Sequence, residues 1–218
     1  NSNALGTIEL ITGLQISGVF SNVIENNLID CQWRNSGGVN IGASFGGGGT
    51  QAKYCRDKQC QSEQSDSLFR NNIVMNCSDV GLYINKSKHI TVFNNLFYRT
   101  RGIDVRYKES SAIIKNNILD GRINKRDNAT VIESNNVSDF LTSLALDSTV
   151  EDIFNHPEKG DFTVKQAEKI ELLGEGDNAL GIGFCGNAHS KNVPNIGPFE
   201  TLASTLCHSS IKLLITEL

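Results

Sequence analysis

An Asn-Asn pair followed by apolar residues recurs along this chain, in FRNNIVMNC from Phe69, VFNNLFYRT from Val92 and IIKNNILDG from Ile113. The second Asn of successive pairs is Asn27, Asn72, Asn95, Asn117 and Asn136, giving intervals of 45, 23, 22 and 19 residues, the first about two repeat lengths. An internal period in the twenties constrains the fold more than any other feature. A unit that short cannot bury its own apolar face and gains a core only by stacking on its neighbours.

Aligned on the pairs, Gly81-Leu82-Tyr83-Ile84-Asn85 lies over Gly102-Ile103-Asp104-Val105-Arg106, and both are similar to Gly38-Val39-Asn40-Ile41-Gly42. These read as short alternating strands with Leu82, Ile84, Ile103 and Val105 turned inward. After each comes a polar turn (NKSKH, RYKESS), a second strand (ITVFN, AIIKN), the Asn corner and a third short strand (LFY, ILD). Three strands and three turns in about 22 residues describe one coil of a parallel β-helix. A leucine-rich repeat has a similar period but needs an L-x-x-L-x-L spacing that the leucines here do not follow. Composition agrees, since 24 Asn and 20 Gly in 218 residues favour turns and β structure over helix. An Asn at a sharp corner tolerates left-handed geometry, and its amide can bond the equivalent amide of the next coil. The doublets therefore read as architecture and not as chemistry.

The G-I-x-V strand, polar turn and xNNxI corner resemble those of right-handed parallel β-helix repeat proteins of the pectate lyase-like superfamily, over about residues 14–138. The fold expected is all-β, a right-handed single-stranded parallel β-helix with an irregular C-terminal cap. The resemblance implies many polysaccharide lyases and hydrolases among related folds, beside adhesins and surface proteins. Coils are expected over 1–138, interrupted by an inserted loop at 43–67 that overhangs the face presenting Asn40, Tyr83 and Asp104. Residues 139–218 are expected to cover the open end of the stack, whose strands would otherwise be unpaired; a separate small domain is the alternative. In that segment KGDFTVK and NIGPFE look like the closing strings of β-helix proteins similar to chondroitinase and alginate lyases, with Asn195 in place of the usual Asp and Lys165-Gln166 departing from the usual turn.

Six cysteines with no metal-type spacing fit a disulfide set and an exported, secreted or envelope-associated protein. Cys31 and Cys77 follow Asn27 and Asn72 by four and five residues, nearly equivalent places in adjacent coils, so a bridge spanning one strand spacing is expected. Cys55 and Cys60 could close a small loop, leaving Cys185 and Cys207 to tie down the tail. A net charge of −4 shows no basic field of the kind that draws a protein to nucleic acid. There is no apolar run of about 18 residues and no signal peptide, so neither a membrane span nor the protein's own export route is visible. Four sequons, at Asn76, Asn85, Asn128 and Asn136, carry little weight in an Asn-rich chain.

The partner expected is a polysaccharide. Outward side chains of the first strands are expected to stack in two columns, one of Asn40, Tyr83, Asp104 and Arg122, the other of Gly42, Asn85, Arg106 and Asn124. Cleaving a uronate polymer by β-elimination requires a neutralised carboxylate, a base and an acid for the leaving oxygen. Arg106 and Arg122 are candidate neutralisers and Tyr83 the candidate base or acid, with Asn40, Asn85, Asp104, Lys86 and Arg101 as substrate-binding residues. Asp104 is also the candidate ligand for Ca²⁺, the one cofactor considered. Lys88, Arg99, Lys108, Lys125 and Arg126 are expected near the same face. Hydrolysis would need clustered carboxylates, and only Asp104, Glu109 and Asp127 are at hand, which favours a lyase over a glycosidase. The competing reading is a non-catalytic structural or adhesion module, because outward strand positions must be polar in any case. The four histidines, including His89, His156, His189 and His208, show no metal-ligand spacing and read as surface or turn residues. Trp33 and Tyr107 are candidates for stacking on sugar rings.

Overall fold

The computed structural model describes residues 8–9, 19–31, 39–47, 62–138, 148–200 and 207. The expected Cys55 to Cys60 bridge, Trp33, His208, the end segment 208–218 and most of the insertion lie outside them. Strands follow one another coil by coil. The first coil holds β1 (Ile8–Glu9), β2 (Val19–Phe20), β3 (Val23–Glu25) and β4 (Leu28–Asp30). The second holds β5 (Ala43–Phe45), β6 (Gln64–Ser65), β7 (Leu68–Arg70) and β8 (Ile73–Met75), and the third β9 (Leu82–Asn85), β10 (Ser87–Lys88), β11 (Ile90–Phe93) and β12 (Leu96–Tyr98). The fourth has β13 (Gly102–Arg106), β14 (Ser111–Lys115) and β15 (Ile118–Leu119), and the fifth β16 (Arg122–Arg126), β17 (Thr130–Ser134) and β18 (Val137–Ser138).

These stack into three five-stranded parallel sheets, β1-β5-β9-β13-β16, β3-β7-β11-β14-β17 and β4-β8-β12-β15-β18. The all-β solenoid of about 22-residue coils expected from the repeat is what forms. A fourth sheet, β2-β6-β10, was not foreseen; its strands come from the polar turn between the first and second sheets. Strands at both margins of the expected 43–67 insertion narrow it to the stretch between Phe45 and Gln64.

Alternation sends one row from each sheet into the lumen, where Leu82, Ile84, Val92, Phe97, Ile103, Val105 and Ile114 are fully buried. Phe45, Phe69 and Phe97 run through it with ring centroids 6.3 Å apart at each step. The Cys31–Cys77 disulfide joins the first two coils, with Cα atoms 4.9 Å apart, as the stacking requires.

The doublet divides its labour. The second Asn turns inward, and each backbone N and Nδ2 donates to the Oδ1 of the next coil: Asn27 to Asn72, Asn72 to Asn95, Asn95 to Asn117 and Asn117 to Asn136, at 2.9–3.1 Å. The same Nδ2 groups also donate to strand carbonyls, as Asn95 does to Phe69 and Phe93. The first Asn takes the left-handed turn, with φ of 57° at Asn26, 54° at Asn71, 53° at Asn94, 57° at Asn116 and 50° at Asn135. In the last four its amide donates outward to C-terminal carbonyls: Asn71 to Leu180 and Ile182, Asn94 to Asn195 and Gly197, Asn116 to Glu175, and Asn135 to Leu173.

The described part of the C-terminal segment is accordingly a lateral strap along the coils. It comprises α1 (Thr149–Ile153), the antiparallel pair β19 (Phe154–His156) and β20 (Asp161–Val164), two single 3-10 turns and extended chain. Val150, Ile153, Phe154, Phe162, Ile170, Ile196 and Phe199 pack on Ile73, Met75, Leu96, Tyr98 and Ile118, the outward row of the third sheet. That sheet is thus apolar on both faces, which is why its third strands read as unbroken apolar runs. The Cys185–Cys207 disulfide closes the strap on itself.

Acidic residues fasten α1 to the coils. Ser148 caps it, and Asp120 accepts from Ser148 Oγ, Val150 N and Arg99 N while burial raises its carboxyl above the ordinary range. Glu151 accepts from Tyr98 Oη at 2.6 Å and from Arg99 at 3.1 Å, and these two donors, Tyr98 first, hold its carboxyl below its usual 4.5. The folded value lies under the unfolded one, so the stabilisation is present above pH 4.5 and fades as pH falls through the folded value. Glu151 is partly exposed, so the contribution is under about 1 kcal/mol. The stability gap between wild type and Glu151→Gln in urea titrations should therefore be measurable at pH 7 and close on acidification.

Candidate functional site

On the first sheet Leu82, Ile84, Ile103 and Val105 do face inward, so the residues between them face out. Strand pairing gives one outward column as Ser44, Tyr83, Asp104 and Asn124, and the next as Asn85, Arg106 and Arg126. Four expected members are displaced: Gly42 falls in line with Gly81 instead of Asn85, Asn124 joins the Asp104 column instead of that of Arg106, and Arg122 and Asn40 leave the columns. Arg122 pairs with Gly102, two positions before Asn124, and Asn40 lies on the preceding corner, where its N donates to Ser78 Oγ at 2.8 Å. Gly42-Ala43-Ser44-Phe45, and not Gly38 to Gly42, occupies the register of Gly81 to Ile84. The corner joining the third sheet to the first also shortens, through 75–81, 98–102 and 120–122, and this length sets Asn124, not Arg122, opposite Asp104.

Arg126, expected only near the face, is the residue the register brings to its centre. It grips Asp104 with two bonds, Nε to Oδ1 at 3.1 Å and Nη2 to Oδ2 at 2.5 Å. Asp104 is buried under that fork, its side chain 9% exposed. Arg106 donates to Asp127 at 2.5 Å and also bonds the Tyr83 hydroxyl, its guanidinium 4.8 Å from the centre of the Tyr107 ring. Lys86, at a left-handed corner, brings Nζ to 5.5 Å from the same ring. Tyr83, Asp104, Arg106, Arg126, Tyr107 and Asp127 thus form one network drawn from three consecutive coils. Arg101 is largely exposed, 4.0 Å from Asp79, at the border of the sheet. Asn85 is buried, its Oδ1 without a hydrogen-bond partner among the described residues, beneath the backbone of Gly47; a Cβ there would stand 2.5 Å from Asn85 Nδ2, so only glycine fits.

The electrostatics limit the chemistry. Asp127 first and then Tyr83 push Arg106 above its ordinary value, and Asp104 does the same to Arg126. Guanidiniums held more firmly protonated are hydrogen-bond donors and not bases. Both oxygens of Asp104 are engaged by Arg126, which removes it as a ready Ca²⁺ ligand, and among the described residues no three His, Cys, Asp or Glu side chains are grouped to hold a metal. Arg99 lies away from the face, against Glu151 of the strap. Lys125 sits at a lumen register position, opposite Val105.

His189 corrects the reading of the histidines as surface residues. Its imidazole is fully buried in the strap, with Nδ1 at 2.9 Å from Glu200 and Nε2 at 2.9 Å from Asn71 Oδ1. Burial pulls its pKa below the usual value against the opposing pull of Glu200. Nothing in the local string GNAHSKN marks it, because its partner Asn71 is 118 residues away. His89 and His156 are exposed, beside Asp66 and Glu158.

Comparison with protein-family models, with curated protein sequences and with solved structures finds no match to this chain. The two disulfides fit an oxidising, extracellular environment, and no described helix is long and apolar enough to cross a membrane.

Proposed function

We propose that the outer face of the first sheet is a carbohydrate-binding surface of an exported protein. The observation that carries this is the network of Tyr83, Asp104, Arg106 and Arg126, whose planar, charge-assisted groups are fixed on stacked strands and flanked by Tyr107. Sugars are recognised by such fixed arrays of donors, acceptors and ring faces, and a rigid sheet supplies them without an ordering cost on binding. The parallel solenoid is itself consistent with carbohydrate-interacting domains. Lys86 and Arg101 border the array and extend it towards an acidic polymer, with Arg122 at its fifth-coil margin, while Asn85 lies buried beneath Gly47.

Lyase action on a uronate polysaccharide is the second reading, favoured by one contact, the Tyr83 hydroxyl on Arg106. Against it, Arg106 and Arg126 each already answer an aspartate, so neutralising a substrate carboxylate would cost an existing ion pair. Affinity electrophoresis in a panel of neutral and uronate polysaccharides, with and without Ca²⁺, tests both readings together with absorbance of unsaturated product. Retention by a polysaccharide, weakened about tenfold in Arg106→Ala, is the expected result. Product formation lost in Tyr83→Phe would establish the lyase, whereas a folded protein that no polysaccharide retards would overturn the binding reading.

A further inference from the structure

The fifth coil ends the stack in an unusual way. Its strands β16, β17 and β18 have neighbours on one side only, so a row of backbone donors and acceptors in all three sheets is unpaired among the described residues. At its lumen positions Ile123 and Val131 continue the apolar rows and are only partly covered. The next lumen positions, however, carry Lys125 opposite Val105 and Glu133 opposite Ile114, and both charged side chains are exposed. Inward charges at an edge normally repel further strands. Charges of one sign would do that against any partner, but here the first sheet ends in a cation and the second in an anion.

The strands themselves are polarised in the same sense. β16, RINKR, has three positive charges and no acid, while β17, TVIES, has one negative charge and no base, and each is five residues long. A twofold axis through the corner between these two sheets exchanges them and returns the third sheet to itself. It lays β16 of one copy antiparallel on β17 of the other, and β18 on its own equivalent. Lumen positions stay on the lumen side, so Lys125 meets Glu133 of the second copy directly or diagonally, distances at which cross-strand charges act. The β16–β17 contact, with its Lys125 and Glu133, occurs twice by symmetry and the β18 pairing lies on the axis, as an isologous interface requires. Any arrangement that set β16 on β16 would instead place three cations on three.

We infer that the fifth-coil end is the interface of a tail-to-tail dimer of this chain, selected by Lys125 and Glu133 across the two copies. The interface continues the lumen through both molecules, buries Ile123 and Val131, and pairs the free edges. The occupant is a second copy because the surface is self-complementary in charge, strand length and direction.

Sedimentation equilibrium of the full chain over a concentration series tests this, with circular dichroism confirming that each variant is folded. Wild type should be a dimer, Lys125→Glu and Glu133→Lys alone should each weaken association by about tenfold or more, and the double charge swap should restore it. A wild-type protein that stays monomeric throughout overturns the inference. So do single reversals that associate as wild type does, or a folded double swap that fails to recover.

Discussion

Asn95→Ala should destabilise the protein by about 4 kcal/mol, among the largest effects available to one side chain, because several buried groups lose their partner together. Asn95 Oδ1 accepts from Asn72 N and Nδ2, and its own Nδ2 donates to the carbonyls of Phe69 and Phe93 and to Asn117 Oδ1. All lie in the fully buried interior, where water cannot replace the lost amide without a cavity that opens to it. Asn27→Ala is the internal control. It sits at the start of the ladder, partly exposed, and loses the bonds to Glu25 O and Asn72 Oδ1, so it should cost only about 1 kcal/mol. Urea unfolding of both variants checks the ratio.

Phe154→Ala should cost about 3–5 kcal/mol through the cavity it leaves in the strap's core. Its ring is fully buried and meets Phe162 edge-on at 5.7 Å and Phe199 at 5.9 Å. The loss should be local in character. Backbone amides of 148–200 should lose hydrogen-exchange protection while those of the lumen strands keep most of theirs, because the lumen is packed by Phe45, Phe69 and Phe97, which the strap does not touch. Uniform loss of protection would instead mean that strap and coils unfold as one unit.

Much of this architecture is legible in the sequence because a stacked coil repeats its needs. The corner Asn recurs with the coil, the alternating strands mark the lumen rows, and Cys31 with Cys77 follows from equivalent positions in neighbouring coils. Legibility fails where the coil is irregular or the partner is distant. Arg122 and Asn40 were assigned to the Tyr83 column because the length of the corner before the first sheet is not written in the repeat; strand pairing sets Asn124 where Arg122 was expected and Arg126 where Asn124 was expected. The outward role of the first Asn in the last four doublets leaves no local signal, since the carbonyls it serves lie 38 to 111 residues downstream in a segment with no repeat of its own. Of the expected site, Tyr83, Asp104 and Arg106 are brought together by the register itself. Their ion pairing with Arg126 and Asp127 depends on which residue of the next coil faces each one, and that is fixed only by the corner lengths.

The two duties assigned to each doublet can be told apart in wild-type protein by hydrogen exchange of the asparagine side-chain amides, resolved by NMR. The Nδ2 groups of Asn72, Asn95 and Asn117 lie inside the lumen ladder and should exchange only as fast as the whole protein unfolds. Those of Asn71, Asn94 and Asn116 bond the strap and should exchange sooner, together with the strap's backbone amides. Equal rates for the two sets, or faster exchange of the inner one, would contradict the division of a structural ladder from an outer clamp.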